Sequence, residues 1–382
     1  MTARALAMAM ACAAALAGCS VPPLSTAPEA ARPAVPAQWS GAGQEPAAAV
    51  QASWWQAFGD PLLTRWVELA QSRNNDVLLA LSRVDEARAN LDVAGAAGLP
   101  QLSATAGAST GRSLGARGLA HTRSVQPGLQ ASWELDIFGA NRAAADATLA
   151  TLESSQANWH EARILVAAEV ATTYTALRAC EAQAEQYQLD AQSRITTSAI
   201  TSRSVNAGFQ PSAAADLARA SAAQGRMVLI QQVAQCDLLI KALTALTAQD
   251  EMALRDELAA GKAILPHVAG LTVSAIPADV LAQRPDIYAA SRAVVAASAE
   301  SHQAQAQRWP RITLTGNISA SSMKSGALST DGTTWSIGPV AITLPLFDAG
   351  SRRASAEAAR IRYDAAITIY AARLREAIQE VE

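Results

Sequence analysis

Residues 125–138, V-Q-P-G-L-Q-A-S-W-E-L-D-I-F, limit the folds open to this chain more than any other stretch. Each odd position from Val125 to Ile137 is apolar or proline, and each even position from Gln126 to Asp136 is polar or glycine. A side-chain period of two belongs to a strand with one dry and one wet face. The stretch is longer than the roughly 9–11 residues a tilted strand needs to cross a bilayer. A similar strand recurs about 209 positions later, where L-P-L-F at Leu344 repeats L-D-I-F at Leu135. The pattern predicts a membrane β element carried by a duplicated, otherwise helical chain.

Composition fits that division. Of the 382 residues 50% are hydrophobic but only 4% aromatic, and alanine dominates the apolar share, which suits long, closely packed helices. The net charge of -3, without a cluster of Lys and Arg among aromatics, gives no support to nucleic-acid binding.

Residues 1–18 read as a signal peptide: Arg4 supplies the positive start and residues 5–15 an apolar run too short to span a membrane. The tetrad Leu16-Ala17-Gly18-Cys19 resembles a bacterial lipobox. That motif implies cleavage between Gly18 and Cys19 and a diacylglycerol and N-acyl chain on Cys19; Ser20 fits sorting to the outer membrane. An ordinary signal peptide with an incidental cysteine is the alternative. No other cofactor or metal is expected. Residues 19–53 hold six prolines and read as an extended tether.

Residues 54–98 are helical in pattern, with Asp60-Pro61 as N-cap and first helical residue. Residues 99–138 form a first hairpin: a strand over 102–110, a glycine-bearing loop tip over 111–123, and the opening strand. Residues 139–250 form an antiparallel coiled-coil hairpin. About 65 residues without Pro or Gly carry a seam through Trp159, Val166, Val170, Thr173, Leu177, Cys180, Ala184 and Tyr187, with Arg163 as misfit. Ala207-Gly208-Phe209-Gln210-Pro211 turns the chain, and the return seam runs through Ala222, Leu229, Val233, Cys236, Ile240, Leu243 and Thr247. Cys180 and Cys236 each lie 28 residues from Gly208, at one height on the seam, so a disulfide is expected; two buried thiols are the alternative.

Residues 251–308 comprise an irregular segment to 283 and a helix opened by Arg284-Pro285-Asp286, a sequence expected to cap it. Residues 309–347 form a second hairpin, with a loop tip over 321–333 and a fourth strand over 334–347 whose phase slips at Gly338-Pro339, a bulge. Residues 348–382 begin another long helix. Each half therefore reads helix, strand, loop, strand, helix, and by that symmetry the rest of a second coiled-coil hairpin is expected beyond Glu382.

These landmarks, with W-W-Q-A-F-G-D-P-L-L at Trp54, W-E-L-D-I-F-G at Trp133, A-G-F-Q-P at Ala207, L-A-Q-R-P-D-I at Leu281 and L-P-L-F-D-A-G at Leu344, resemble outer-membrane efflux lipoproteins. The likeness is to the NodT/OprM-like branch of the TolC superfamily. It implies a homotrimer, lipid-anchored in the cell outer membrane and extending into the periplasm. Four strands per protomer would close a twelve-stranded β-barrel above a helical barrel. The implied partners are outer-membrane lipid, a periplasmic adaptor (membrane fusion protein) and an inner-membrane pump of RND or similar type. The tip Ala207, Gly208, Phe209, Gln210 and Pro211 would dock the adaptor, and the family's second tip would fall beyond Glu382. The implied function is passive conduction of small molecules out of the cell, without catalysis.

Physical reasoning leads to the same closure: no strand edge can face hydrocarbon unpaired, and one chain supplies four strands where the smallest known barrels have eight. Gln126, Gln130, Glu134 and Asp136 with Thr313, Thr315 and Asn317 would line a wet lumen. Trp133 and Trp335 could be interfacial aromatics or packing residues. Trp54, Trp55 and Trp66 read as helix packing. The G-x-S-x-G at Gly107 lacks the strand–turn–helix context of a nucleophile elbow, and His160-Glu161 lacks a second histidine for zinc. The rival reading is a periplasmic coiled-coil lipoprotein, adaptor or structural, without a pore; an adaptor would not carry the duplicated strands.

Overall fold

The computed structural model describes residues 53–115, 118–267, 281, 284–325 and 328–381. Two compact units emerge, one from residues 84–157 and 281–381, the other from 36–83 and 158–280 as far as they are described.

The second of these is helical. After a 3-10 turn at Trp54–Phe58, α1 spans Pro61–Arg73 and α2 spans Asn75–Ala96, the latter running on into the other unit. Asp60 starts α1 by accepting from the Leu62 and Leu63 amides at 2.8 and 3.1 Å, with Pro61 pre-set for the first turn. Leu63, Trp66, Val67 and Ala70 form its buried stripe. Helix α3, Ala140–Asn206, continues from the sheet unit and pairs with α4, Ser212–Thr247. Val166, Val170, Leu177, Cys180, Cys236, Ile240 and Leu243 of this pair are buried in one cluster with Leu63, Trp66 and Val67 of α1.

Two seam positions are corrected. Tyr187 is 37% and Val233 46% exposed, because alanine, glycine and serine take over the contact toward the tip. There Gly225 is buried, and a Cβ on it would come within 2.8 Å of Arg194 Cδ and 3.4 Å of Ala191 Cα, so two backbones approach closely. Arg163, the misfit, lies over the Trp159 ring at 5.2 Å and bonds Gln71. A further correction concerns the segment expected to be irregular: its start forms helix α5, Glu251–Ala259, capped by Asp250, with Leu254 and Leu258 buried.

The other unit holds α6, Pro285–Ala306, α7, Ser351–Val381, and one antiparallel sheet. Its strands are β1 Gln101–Gly115, β2 Gly118–Leu135, β3 Arg311–Ser325 and β4 Leu328–Thr343, in sheet order β1-β2-β3-β4. Both expected loop tips shrink. Thr110↔Arg123 and Gly115↔Gly118 are paired, as are Ser321↔Gly332 and Ser325↔Leu328, so 111–123 and 321–333 are largely strand. Glycine marked a turn wrongly here: ladder hydrogen bonds to the adjoining strand satisfy the backbone whether or not a side chain is present. The lower ends shift as well. β2 stops at Leu135 rather than 138, and β4 stops at Thr343 rather than 347. The register of β3 on β4 slips between Leu314 and Gly316, opposite Gly338-Pro339, where Thr315 Oγ1 donates to the Pro339 carbonyl at 3.4 Å.

Candidate functional site

Residues directly opposite in an antiparallel sheet share a face. The registers Gln130↔Ser103, Gln130↔Asn317 and Asn317↔Ser336 therefore put these four residues on one side. Gln126, Glu134, Thr313 and Thr315 fall on the same side by parity. Side-chain bonds cross this face: Ser109 Oγ to Ser124 Oγ at 2.7 Å, Ser319 Oγ to Thr334 Oγ1 at 3.1 Å, and Arg311 to Glu134 at 2.9 Å. The face is concave, with a groove of about 530 Å³ lined by Thr105, Ser109, Gln126, Gln130, Asn317 and Ser319 among others. Ser109 thus sits in mid-strand.

Asp136 is a correction. It lies just past β2 and accepts from the Asn141 and Arg142 amides at 3.2 and 2.8 Å, starting α3 instead of facing a lumen.

The opposite face carries Leu102, Val125, Leu129, Ile318, Trp335, Ile337, Val340 and Ile342, all between 44 and 82% exposed. Burying such residues against one another would gain about 1.5–3 kcal/mol each, so the sheet presents a surface that water does not favour. Ten residue steps from Leu135 to Val125, at about 3.4 Å each and a tilt of about 40–45°, give an apolar band about 25 Å tall. That is the height of a barrel's lipid-facing band. At its lower end Trp133 donates Nε1–H to the Gly98 carbonyl at 3.0 Å, and Phe138 stacks on Trp309 at 5.8 Å. Trp335, by contrast, stands 72% exposed on the apolar face. Among the described residues, strands β1 and β4 each leave one edge unpaired.

The helical tip is a Schellman turn. The Phe209 amide donates to the Ser204 carbonyl at 3.0 Å and the Gly208 amide to Val205 at 2.9 Å, with Gly208 at φ +80°. Phe209 projects from it, 82% exposed. Behind it, Cys180 and Cys236 are joined as a disulfide with their Cα atoms 5.6 Å apart. Cys19 and Gly18 lie outside the described residues.

Arg284 occupies the N-cap position of α6 without capping it through its side chain, which instead pairs with Asp286 at 2.9 Å and Glu380 at 2.6 Å. Burial alone would push the Asp286 carboxyl up, but the Arg284 hydrogen bond and charge hold it below its usual value.

One buried polar chain was not anticipated. Tyr174 donates to Asp60 Oδ2 at 2.6 Å, and the fully buried Arg178 lies over its ring and bonds Glu181 at 2.9 Å and the Leu258 carbonyl at 3.0 Å. The signal was present: Tyr174, Arg178 and Glu181 sit four and three residues apart, on one helix face. Burial, then the Asp60 bond, raises the Tyr174 pKa from 10.0 to about 12. Below pH 10 the phenol is protonated in folded and unfolded chains alike, so its contribution is complete. Between pH 10 and about 12 only the unfolded chain ionises, so stability should fall across that window. Tyr174→Phe should cost about 1–2 kcal/mol at pH 8 by deleting the hydrogen bond, and should flatten the alkaline decline. Thermal melts at pH 8 and across pH 10–12 check both effects.

Comparison with known proteins agrees with this geometry. The pattern of the family described as outer membrane efflux protein matches residues 66–249 and 276–382. Nodulation protein T of Rhizobium leguminosarum bv. viciae is 30% identical over 347 residues, covering 90% of this chain and 70% of the relative. The antibiotic efflux pump outer membrane protein ArpC of Pseudomonas putida is 30% identical over 380 residues, covering 96% and 77%. The solved outer-membrane channel OprN superposes with a TM-score of 0.77 over 94% of this chain and 79% of that one, at 24% identity, a likeness of fold. The chain belongs to the outer membrane efflux protein family, and its two-faced sheet is wall material for an outer-membrane efflux duct.

Proposed function

We propose that three copies of this chain close one duct, each contributing β1–β4 to a twelve-stranded barrel. The observation that carries the reading is, among the described residues, one sheet with two open edges, a polar concave face and an exposed apolar face. In hydrocarbon every backbone donor and acceptor needs a partner, so β1 of one copy must pair with β4 of the next. The exposed Leu217, Ile230 and Leu238 on α4 are likewise suited to packing against neighbouring copies. The lumen is polar and water-filled, so conduction is passive; energy comes from an inner-membrane pump of RND or similar type through a periplasmic adaptor. The Ala207–Pro211 turn, with Phe209 projecting, is the adaptor contact on this chain. Cys19 carries the lipid anchor.

In outer-membrane extracts the unheated protein should migrate near three chain masses and collapse to one on boiling. A monomer washed from membranes by carbonate would overturn the reading. Labelled palmitate should be incorporated by the wild type and lost in Cys19→Ser.

A further inference from the structure

Above the apolar band the outward face changes character. Register pairs Arg112 with His121, and Arg123 with both Thr110 and Lys324, which places all four of these cationic or titratable residues on the face of Val125 and Leu129. Each is exposed, and Arg112, Arg123 and Lys324 make no ion pair among the described residues. At this height the inward positions are Thr122, Ser124, Met323 and Ser325, all uncharged. The cations are thus held away from the lumen. Arg123 stands directly opposite Lys324, a like-charge pair that is unfavourable without a counter-anion. Asp331, paired with Ser322, is the single carboxylate on this face among the described residues, and it cannot neutralise three cations.

The placement has a price in hydrocarbon and a use just outside it. Arg or Lys on a lipid face costs most at the midplane and little near the interface. Arg123 lies two residues beyond Val125, about 5 Å above the band once the strand is tilted. That is headgroup level, at the end of the sheet farthest along the strands from the helix junctions at Gly98 and Phe138.

We propose that Arg112, Arg123 and Lys324, with His121 beside them, form a girdle that binds phosphate groups of outer-leaflet lipid at the barrel rim. The occupant is a phosphorylated lipid headgroup: the girdle adjoins lipid-facing residues, and phosphate supplies the missing anion in the geometry arginine recognises. This rests on the barrel reading above.

The test inserts the full chain into phosphatidylcholine vesicles containing acceptor-labelled lipid A, and follows energy transfer from tryptophan. Labelled phosphatidylcholine and dephosphorylated lipid A serve as comparisons. Wild type should reach half-transfer at a far lower mole fraction of lipid A than of either comparison lipid. The triple variant R112Q/R123Q/K324Q should lose on the order of 100-fold of that preference, about fivefold per cation. Equal transfer from wild type to phosphorylated and to dephosphorylated lipid A, an arm that needs no variant, would overturn the girdle and leave the barrel standing. An unchanged preference in the triple variant would do the same. Transfer to none of the lipids, with the chain outside the vesicles, would sink the barrel and the girdle together.

Discussion

Leu129→Arg should nearly eliminate assembled protein in the outer membrane, while Gln130→Arg, one residue away, should leave assembly intact. Leu129 lies mid-band on the outward face, directly opposite Ala104 and Ile318, and is 44% exposed in the single chain. An arginine there meets lipid near the midplane at a cost of about 2–4 kcal/mol per chain, which is roughly 30- to 1000-fold in the folded fraction. Gln130 faces Ser103 and Asn317 across the polar groove, where a cation stays hydrated. Heat-modifiable oligomer recovered from membranes reads both variants. Equal yields would mean that the faces are assigned wrongly.

Removing the Cys180–Cys236 cross-link should be nearly as severe. The bridged cysteines are 56 residues apart, and closing a loop of that length restricts the unfolded chain by about 4 kcal/mol on the chain-entropy account. Cys180→Ala with Cys236→Ala should therefore lower the urea midpoint markedly, and reductant should shift wild type but not the double variant. Matching midpoints with and without reductant in wild type would show that the link contributes nothing. Both cysteines are buried beside Leu177 and Ile240, so alanine leaves only a small void.

What could be read in advance follows from how local each cause is. Strict alternation through Leu129 and Trp133 marks a strand because the pleat has a fixed period, and the neighbouring strand only completes it. The turn at Gly208 was equally local: one left-handed residue followed by Pro211 closes a helix wherever it occurs. The same glycine logic failed at Gly111, where register with Thr122 overrides it, and the tip expected over 321–333 likewise gives way to register such as that of Ser321 with Gly332. Asp136 looked like one more even-numbered strand position, yet the free amides of the next helix claim it. Tyr174 and Arg178 escaped because the heptad seam was drawn too narrow: α3 also packs against residues from Asp60 to Trp66 and around Leu258, and so buries a second stripe. Helix α5 was hidden by Pro266 and Gly270, which colour the reading of everything between Asp250 and Arg284.

The position of the cystine divides the helical hairpin into two mechanical regimes. On its inner side lie Tyr174, Leu177, Ile240 and Leu243, fully or nearly buried. Beyond Glu181, the buried residues of the two arms are Ala191, Ser198, Ala215, Ala222 and Gly225, none larger than serine. Small contacts give little dispersion energy to resist shear. As far as contacts within one copy go, the outer 28 residues of each arm, about 40 Å of helix, thus behave as a cantilever clamped at the sulfurs. A load on Phe209 bends that beam, and the clamp keeps the deflection from reaching the packed base.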